Sequence, residues 1–357
     1  MKYIKLFITT ILIFTISSCS GQKSKKDVPV TIPKSEVENN QKNEIVYDNP
    51  MFASGSNEQI DQVVRTVFQD SKGTFWFGTE SGLYKLVDNS LVFIDQIKSE
   101  TGKGVTIKDI TESKDGNIWI GHTNGISSVN GNTVTNYYKS NGLISNDVWC
   151  ITADSNDTIW IGTLEGVCTF NGKEFSKFPL PEGEKDSTKG ISSTKIVHNI
   201  KEDSKGTLWF STNAGLFSYA NNVLTNVSEK TGIQTNFVNE VFEDSKGKLW
   251  ISTKKGLYNL NENKAINITE GKIENGKGIG SIAEDKNGSL WFVSNQHYLY
   301  TYKNGKLIEY KKTANNKGPV VFKIYKDQND RLWFVGFGGA YRLNNNQFLN
   351  IRMNGPW

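Results

Sequence analysis

The sequence predicts an all-β chain, folded as a single seven-bladed β-propeller with four antiparallel strands per blade. A lipoprotein signal peptide and a disordered tether precede it. Three observations predict the propeller. Seven tryptophans, Trp76, Trp119, Trp160, Trp209, Trp250, Trp291 and Trp333, recur at gaps of 43, 41, 49, 41, 41 and 42 residues. Around each lies one pattern, Val/Ile-x-x-Val/Ile-x-x-Asp-x-x-Gly-x-x-Trp-Ile/Phe-Gly/Ser-Thr-x-x-Gly-Leu. Inside each unit, short apolar runs alternate with turn residues, as strands do. A period of roughly 40 residues with one such turn per unit is that of a propeller blade.

The fifth unit shows the elements in order. A first strand carries Val238 and Val241 and ends in the tight turn Asp244-Ser-Lys-Gly247. The Asp can accept from backbone N–H groups of the turn, and the Gly tolerates positive φ. The second strand, Leu249-Trp250-Ile251-Ser252-Thr253, carries the tryptophan, and the third begins Gly256-Leu257-Tyr258. A fourth strand follows an Asn-Gly turn of the kind seen at Val129-Asn-Gly and Tyr302-Lys-Asn-Gly. The tryptophans supply the largest apolar area for packing blade on blade. Gly78, Gly121, Gly162, Ser211 and Ser252, two residues on, let the next blade approach closely.

The departures from the pattern are local. Ser113 stands for the turn Asp in unit two, and Asp157 and Asp330 stand for the turn Gly in units three and seven. Asp tolerates the left-handed region better than most residues. Units six and seven are the least regular, with Val293, His297, Val335 and Gly336-Phe-Gly-Gly339. Every unit holds its four strands in sequence, the last ending near Gln347–Met353. The ring can therefore close without a borrowed strand, although Ile45–Ala53 could supply an extra one.

The N-terminus reads Met1-Lys-Tyr-Ile-Lys5, then an apolar run Leu6–Ile16, then Ser17-Ser18-Cys19. The run is too short for an ordinary membrane span and matches the charged, apolar and small-residue regions of a secretory signal. The ending Ile16-Ser-Ser-Cys19 resembles a bacterial lipobox, which implies cleavage before Cys19 and acylation of that residue. Residues 1–18 are accordingly expected to be signal peptide, 19–45 lipidated Cys and tether, and 46–357 propeller. Membrane attachment is expected through Cys19 only, on the outer membrane, with the periplasmic side favoured by the basic tether residues Lys23, Lys25 and Lys26.

Net charge is +4, and +2 once Lys2 and Lys5 leave with the signal. Only four residues are Arg, and no basic stripe of a nucleic-acid binder is present. Cys150 and Cys168 fall on the first and third strands of unit three. Two strand spacings separate them by roughly 9–10 Å, beyond disulfide reach, so both are expected to be free, buried thiols. His122, His198 and His297 lie in separate units, with His122 and His297 expected in loops far from the axis. No His/Cys/carboxylate group has metal-ligand spacing, and no nucleophile elbow, phosphate loop or zincin helix occurs. The Asp-to-Trp spacing is one residue longer than in the Asp-box of sialidases, and the four arginines form no triad by unit position. No catalytic residue, metal or cofactor is expected.

One column stands out. The two apolar residues of each first strand are three apart, as in Val64/Val67 and Val197/Ile200. Strict alternation would place them on opposite faces, so a bulge is expected that pushes the intervening residues toward the central channel. The residue after the first apolar position reads Arg65, Lys108, Trp149, His198, Asn239, Gly280 and Phe322. Packing columns repeat and this one does not. Such a mixture at a channel mouth suits a small polar ligand such as a sugar. Water-lined drift would give the same variety.

The repeat resembles that of the two-component regulator propeller family. Asp70-Ser-Lys-Gly73-Thr-Phe-Trp76-Phe-Gly78-Thr79-Glu-Ser-Gly82-Leu83 carries the resemblance, as does Thr158-Ile-Trp160-Ile-Gly-Thr163-Leu-Glu-Gly166-Val167. It covers seven units, from about Gln62 onward. The resemblance implies a periplasmic, oligosaccharide-sensing propeller of hybrid histidine kinases, where a β-sandwich, membrane span and kinase domains follow. No such domains follow up to Trp357, so a binding module is expected and not a kinase. Related propellers include a streptogramin lyase, whose catalytic His and metal pattern finds no counterpart here.

Two functions stand. One is a membrane-anchored, monomeric propeller that binds an oligosaccharide or an envelope protein, with no nucleic acid. The other is a propeller-scaffold lyase or glycan hydrolase acting at the channel mouth. The face holding the second-to-third-strand loops and the blade connections, including the long Phe178–Thr194 segment, is the variable one. The expected ligand contacts there are Arg65, Lys108, Trp149, His198, Asn239 and Phe322, with Glu165 and Asn213 from adjacent loops.

Overall fold

Seven four-stranded antiparallel sheets make up the computed structural model, each built from consecutive strands. The structure describes residues 58–185, 193–261, 263–273, 278–310, 320–345 and 347–357. The expected leader and tether, Cys19 and the segment Ile45–Ala53 lie outside the described residues. The inner strands are Val64–Gln69, Ile107–Glu112, Val148–Ala153, Val197–Glu202, Val238–Glu243, Ile279–Glu284 and Val321–Lys326, for blades one to seven. Each touches the inner strand of the next blade, and that of blade seven touches that of blade one. Blade seven is completed by its own outer strand, Gln347–Ile351. Among the described residues the incoming chain adds isolated bridges, Gln59 to Arg352 and Val63 to Phe337. Two short helices, Lys139–Asn141 and Val227–Thr231, sit in blade connections.

The tryptophans are interface residues. Each apolar cluster joins the Trp of one blade to the inner and second strands of the next. Trp76 packs with Ile107, Ile110 and Ile120 of blade two, and Trp333 closes the ring on Val64, Val67, Phe75 and Phe77 of blade one. The close approach expected at Gly78 is observed: a Cβ there would meet Ile107 Cγ2 of the next blade at 2.6 Å.

The turn Asp does more than shape its turn. Asp70 Oδ1 accepts from Lys72 N (3.0 Å) and Thr74 N (2.8 Å), while Oδ2 accepts from Trp76 Nε1 (2.9 Å). Asp154, Asp203, Asp244, Asp285 and Asp327 bind their own indoles in the same way. In blade two Ser113 Oγ takes the indole N–H at 3.0 Å. The six-residue offset thus lets one carboxylate satisfy a turn and a buried indole together, and a buried N–H left alone would be costly. Asp157 and Asp330 adopt φ of 68° and 59° at the turn-Gly position, as their place in the pattern requires.

Cys150 and Cys168 are free and buried, on the first and third strands of blade three. His122 departs from expectation. It is the last residue of the second strand Ile118–His122, fully buried, and not in a loop. Thr79, Thr163, Thr212 and Thr253 occupy that position in other blades, their hydroxyls bonding the Gly carbonyl of the following turn. His122 Nδ1 accepts from Asn124 N at 3.2 Å and so performs the turn-capping half of the Thr role.

Candidate functional site

The expected bulge is present in all seven inner strands. In blade one Val64 faces Thr79 and Thr66 faces Gly78, which leaves Arg65 as the extra residue. The register shifts at the same place in blades two to seven. An extra residue bends the strand and re-aims two side chains. The first of the two lies opposite the end of the second strand, next to the second-to-third-strand loop. The second faces inward between the inner strands.

The first column forms an arc around the mouth. Arg65 Nη2 binds Glu80 Oε1 at 2.7 Å, and its guanidinium lies 5.3 Å over the Phe322 ring. Phe322 meets Phe337 edge-on at 5.1 Å. Lys108 Nζ sits 4.0 Å over the Trp149 ring, and Trp149 meets His198 at a T-shaped 6.1 Å. His198 Nε2 and Asn213 Oδ1 are 2.6 Å apart. Burial pulls Lys108 below the ordinary lysine pKa; Asp147 and Glu80 work against this and Arg65 adds to it. Arg65, Lys108, Trp149, His198, Phe322 and Asn213 are thus joined by contact or by charge.

Other expected site residues are placed differently. Asn239 donates to Ile279 O of blade six at 2.7 Å, a bond between blades. Asn213 is fully buried and donates to Glu184 O at 3.0 Å, so it orients His198 from below. Glu165 is exposed on a separate groove with Lys177, Leu180, Glu182, Thr194 and Lys195. Trp149 offers no open stacking face on the side that Lys108 covers.

The second bulge residue was not singled out from the sequence, and it forms a belt around the axis. It reads Thr66, Asp109, Cys150, Asn199, Glu240, Ser281 and Lys323. Asp109 accepts from Ile151 N (3.2 Å), Asn199 from Val241 N (3.4 Å), Glu240 from Ile282 N (3.2 Å) and Ser281 from Ile324 N (3.1 Å). Each bond ties a blade to the next. Lys323 Nζ closes the belt on Thr66 Oγ1 (2.9 Å) and Asp109 Oδ1 (3.0 Å). Burial raises Glu240 to about 7, partly offset by Lys323 and by the Ile282 N–H and Ser281 bonds. Six polar side chains and one thiol at a fixed place in the inner strands were a readable signal. These inner-strand edges border a channel, so their N–H groups need side-chain partners.

On the opposite face one contact recurs at four of the turns. Ser71, Ser155, Ser204 and Ser245, each directly after a turn Asp, donate backbone N–H and hydroxyl to Glu112, Glu202, Glu243 and Glu284 of the next blade at 2.6–2.9 Å. These turns are committed to holding blades together.

Among the described residues no group of three or more His, Cys, Asp or Glu side chains could hold a metal ion. No described helix is long and apolar enough to cross a membrane.

Residues 58–81, 142–165, 190–214 and 232–255 match the model of the two component regulator propeller family. No curated protein matches the chain. The fold resembles the extracellular domain of BT4673 from B. thetaiotaomicron, described as a one component or hybrid two component system. The TM-score is 0.64 at 20% identity, covering 81% of this chain and 38% of that one. The chain therefore spans well under half of that extracellular domain. Virginiamycin B lyase from Staphylococcus aureus, a catalytically inactive form with quinupristin, is similar at a TM-score of 0.53 and 18% identity, over 70% of this chain and 85% of the lyase. The WD40 propeller of Doa1 is similar at 0.53 and 10% identity, over 81% of this chain and 93% of that one. At these identities the likeness is one of fold.

Proposed function

We propose that this chain, which carries two component regulator propeller repeats, is a binding propeller of the sensor type that takes its ligand at the channel mouth. The observation that carries the reading is the arc Phe322–Arg65–Lys108–Trp149–His198. One structural position repeats seven times, yet its side chains differ, and Arg65 with Phe322 and Lys108 with Trp149 and His198 make contacts with each other at the mouth. The Asp-Ser-x-Gly face, by contrast, is occupied by bonds between blades. Variable groups held on a rigid scaffold are where binding concentrates. The ligand class is an oligosaccharide, in line with the sensor resemblance. Among the described residues the mouth brings together no paired acid and base of suitable geometry, and the reading taken is binding over lyase or hydrolase chemistry.

The test is a glycan array probed with the full chain, followed by titration of the best ligand. Trp149→Ala and His198→Ala should each weaken binding at least tenfold with the unfolding midpoint little changed. Normal binding by both, with loss on Ser204→Ala or Ser245→Ala, would move the site to the other face. The leader supports a second part of the reading: Cys19 is acylated and holds the propeller to the outer membrane. Mass spectrometry of the native N-terminal peptide tests it, and an unmodified peptide beginning elsewhere refutes it.

A further inference from the structure

Unmet hydrogen-bonding capacity gathers at one part of the mouth. Arg65 binds Glu80 through Nη2, yet its Nε is buried with no partner among the described residues. Trp149 Nε1 and Asp147 Oδ1 are in the same condition. Lys108 connects all three: its ammonium lies 4.0 Å over the Trp149 ring and within electrostatic reach of Asp147 and Arg65. Among the described residues that ammonium makes no hydrogen bond or ion pair. A buried donor left unpaired is destabilising, and neighbouring orphans around one cation have the form of a site prepared for something else.

The imbalance has a sign. The spare donors are an Arg Nε–H, an indole N–H and an ammonium; the spare acceptor is one carboxylate oxygen. A neutral hydroxyl brings a donor with every acceptor. A carboxylate brings two acceptor oxygens and a negative charge, and charge-assisted bonds are the stronger kind. Lys108 covers one face of Trp149, and the unpaired indole N–H is the polar group that ring has left to offer. Resting on the reading of the mouth as a binding face, we infer that its ligand is an acidic oligosaccharide of the uronic-acid class. The sugar carboxylate meets the Lys108 ammonium first, and Arg65 Nε, Trp149 Nε1 and Asp147 Oδ1, closed to solvent in the free chain, reach the carboxylate and a ring hydroxyl once their side chains turn outward.

The experiment titrates the full chain, at low salt, with oligogalacturonate, oligoguluronate and a glucuronate-containing oligosaccharide. Galacto- and gluco-oligosaccharides of equal length are the neutral controls, and tetra-aspartate is the carboxylate control. At least one acidic sugar should bind tenfold or more tightly than its neutral counterpart, and more tightly than tetra-aspartate. Lys108→Met and Trp149→Phe should each weaken it at least tenfold; the second keeps the ring and removes only the N–H. Lys108→Arg should retain most of the affinity, and Lys303→Ala, in an outer groove between blades five and six, should change nothing. Circular dichroism confirms that each variant is folded. Equal affinity for acidic and neutral sugars, or none for any acidic sugar, overturns the inference, as does undiminished binding by Lys108→Met. Tight neutral binding that still needs Trp149 would remove the acidic class and leave the mouth as the site. Binding unaffected by both variants would remove the site as well. Tetra-aspartate binding as tightly as the best sugar would make the ligand a carboxylate peptide and overturn the sugar class.

Discussion

At the scale of single residues, a buried His and a half-buried Glu pull stability in opposite directions with pH. Burial lowers His122 from 6.5 to about 4, against a weaker hydrogen bond to Ile126. The unfolded chain then binds a proton more readily, so the His122 contribution is present above pH 6.5 and is lost as pH falls toward 4. Glu240 is raised from 4.5 to about 7. Its contribution is present below pH 4.5 and is lost as pH rises through 7. Between pH 7.5 and 5 each is worth roughly 2 kcal/mol, so they nearly cancel. His122→Thr, the residue four other blades use, should make the domain relatively more stable at pH 5 than at 7.5. Glu240→Gln should do the reverse. Urea unfolding at the two pH values checks both, and parallel behaviour of the two variants would contradict the assignment. The indole bond gives a third expectation: Asp203→Ala leaves Trp209 Nε1 and two turn N–H groups without their acceptor. The loss should be about 2–4 kcal/mol by chemical denaturation, well above the effect of an exposed Asp elsewhere.

At the scale of elements, the turn between the first and second strands is a clamp. Its Ser reaches the Glu that ends the neighbouring inner strand, with two short bonds to one carboxylate. A double-mutant cycle on Ser204→Ala and Glu243→Ala should show coupling of about 1 kcal/mol. Ser204 with Glu284, one blade further on, should show almost none. Blades two, four, five and six end their inner strands in this Glu; blade three has Ala153 there, and Lys114 N donates to Asp157 Oδ1 at 2.8 Å instead. The Asp that replaces the turn Gly thus also replaces the missing clamp. The bulge is the other device at this scale. By adding one residue per inner strand it yields two columns, one for the belt and one for the mouth.

At the scale of the whole molecule, the ring closes through blade seven. Trp333 is fully buried against blade one, Gln328 donates from its backbone to Gln69 Oε1 at 2.9 Å, and Leu91 N donates to Met353 O at 2.8 Å. If closure is as tight as the other interfaces, Trp333→Ala should cost about 3–5 kcal/mol, as an interior aromatic deletion does. Trp209→Ala, mid-ring, should cost a similar amount. Equilibrium unfolding compares the two, and a Trp333 effect under 1 kcal/mol would mean that the seam is open.

Blade number, strand order, the bulge, the packing role of the tryptophans and the free thiols were legible in the sequence. Each is a local pattern repeated seven times, and repetition turns a weak propensity into a firm signal. The bond from the turn Asp to the indole was legible in principle, since the six-residue offset never varies. Only the tertiary structure decided which residues meet around the axis. Lys323 reaches Asp109 across 214 positions of sequence, and nothing in either segment announces the other. Only the ring placed Lys108 over Trp149, drew Asn239 into a bond between blades and left Glu165 on a separate groove. The period fixes what every blade has in common. The mouth and the belt are built from what the blades do not share, brought together when seven inner strands converge on one axis.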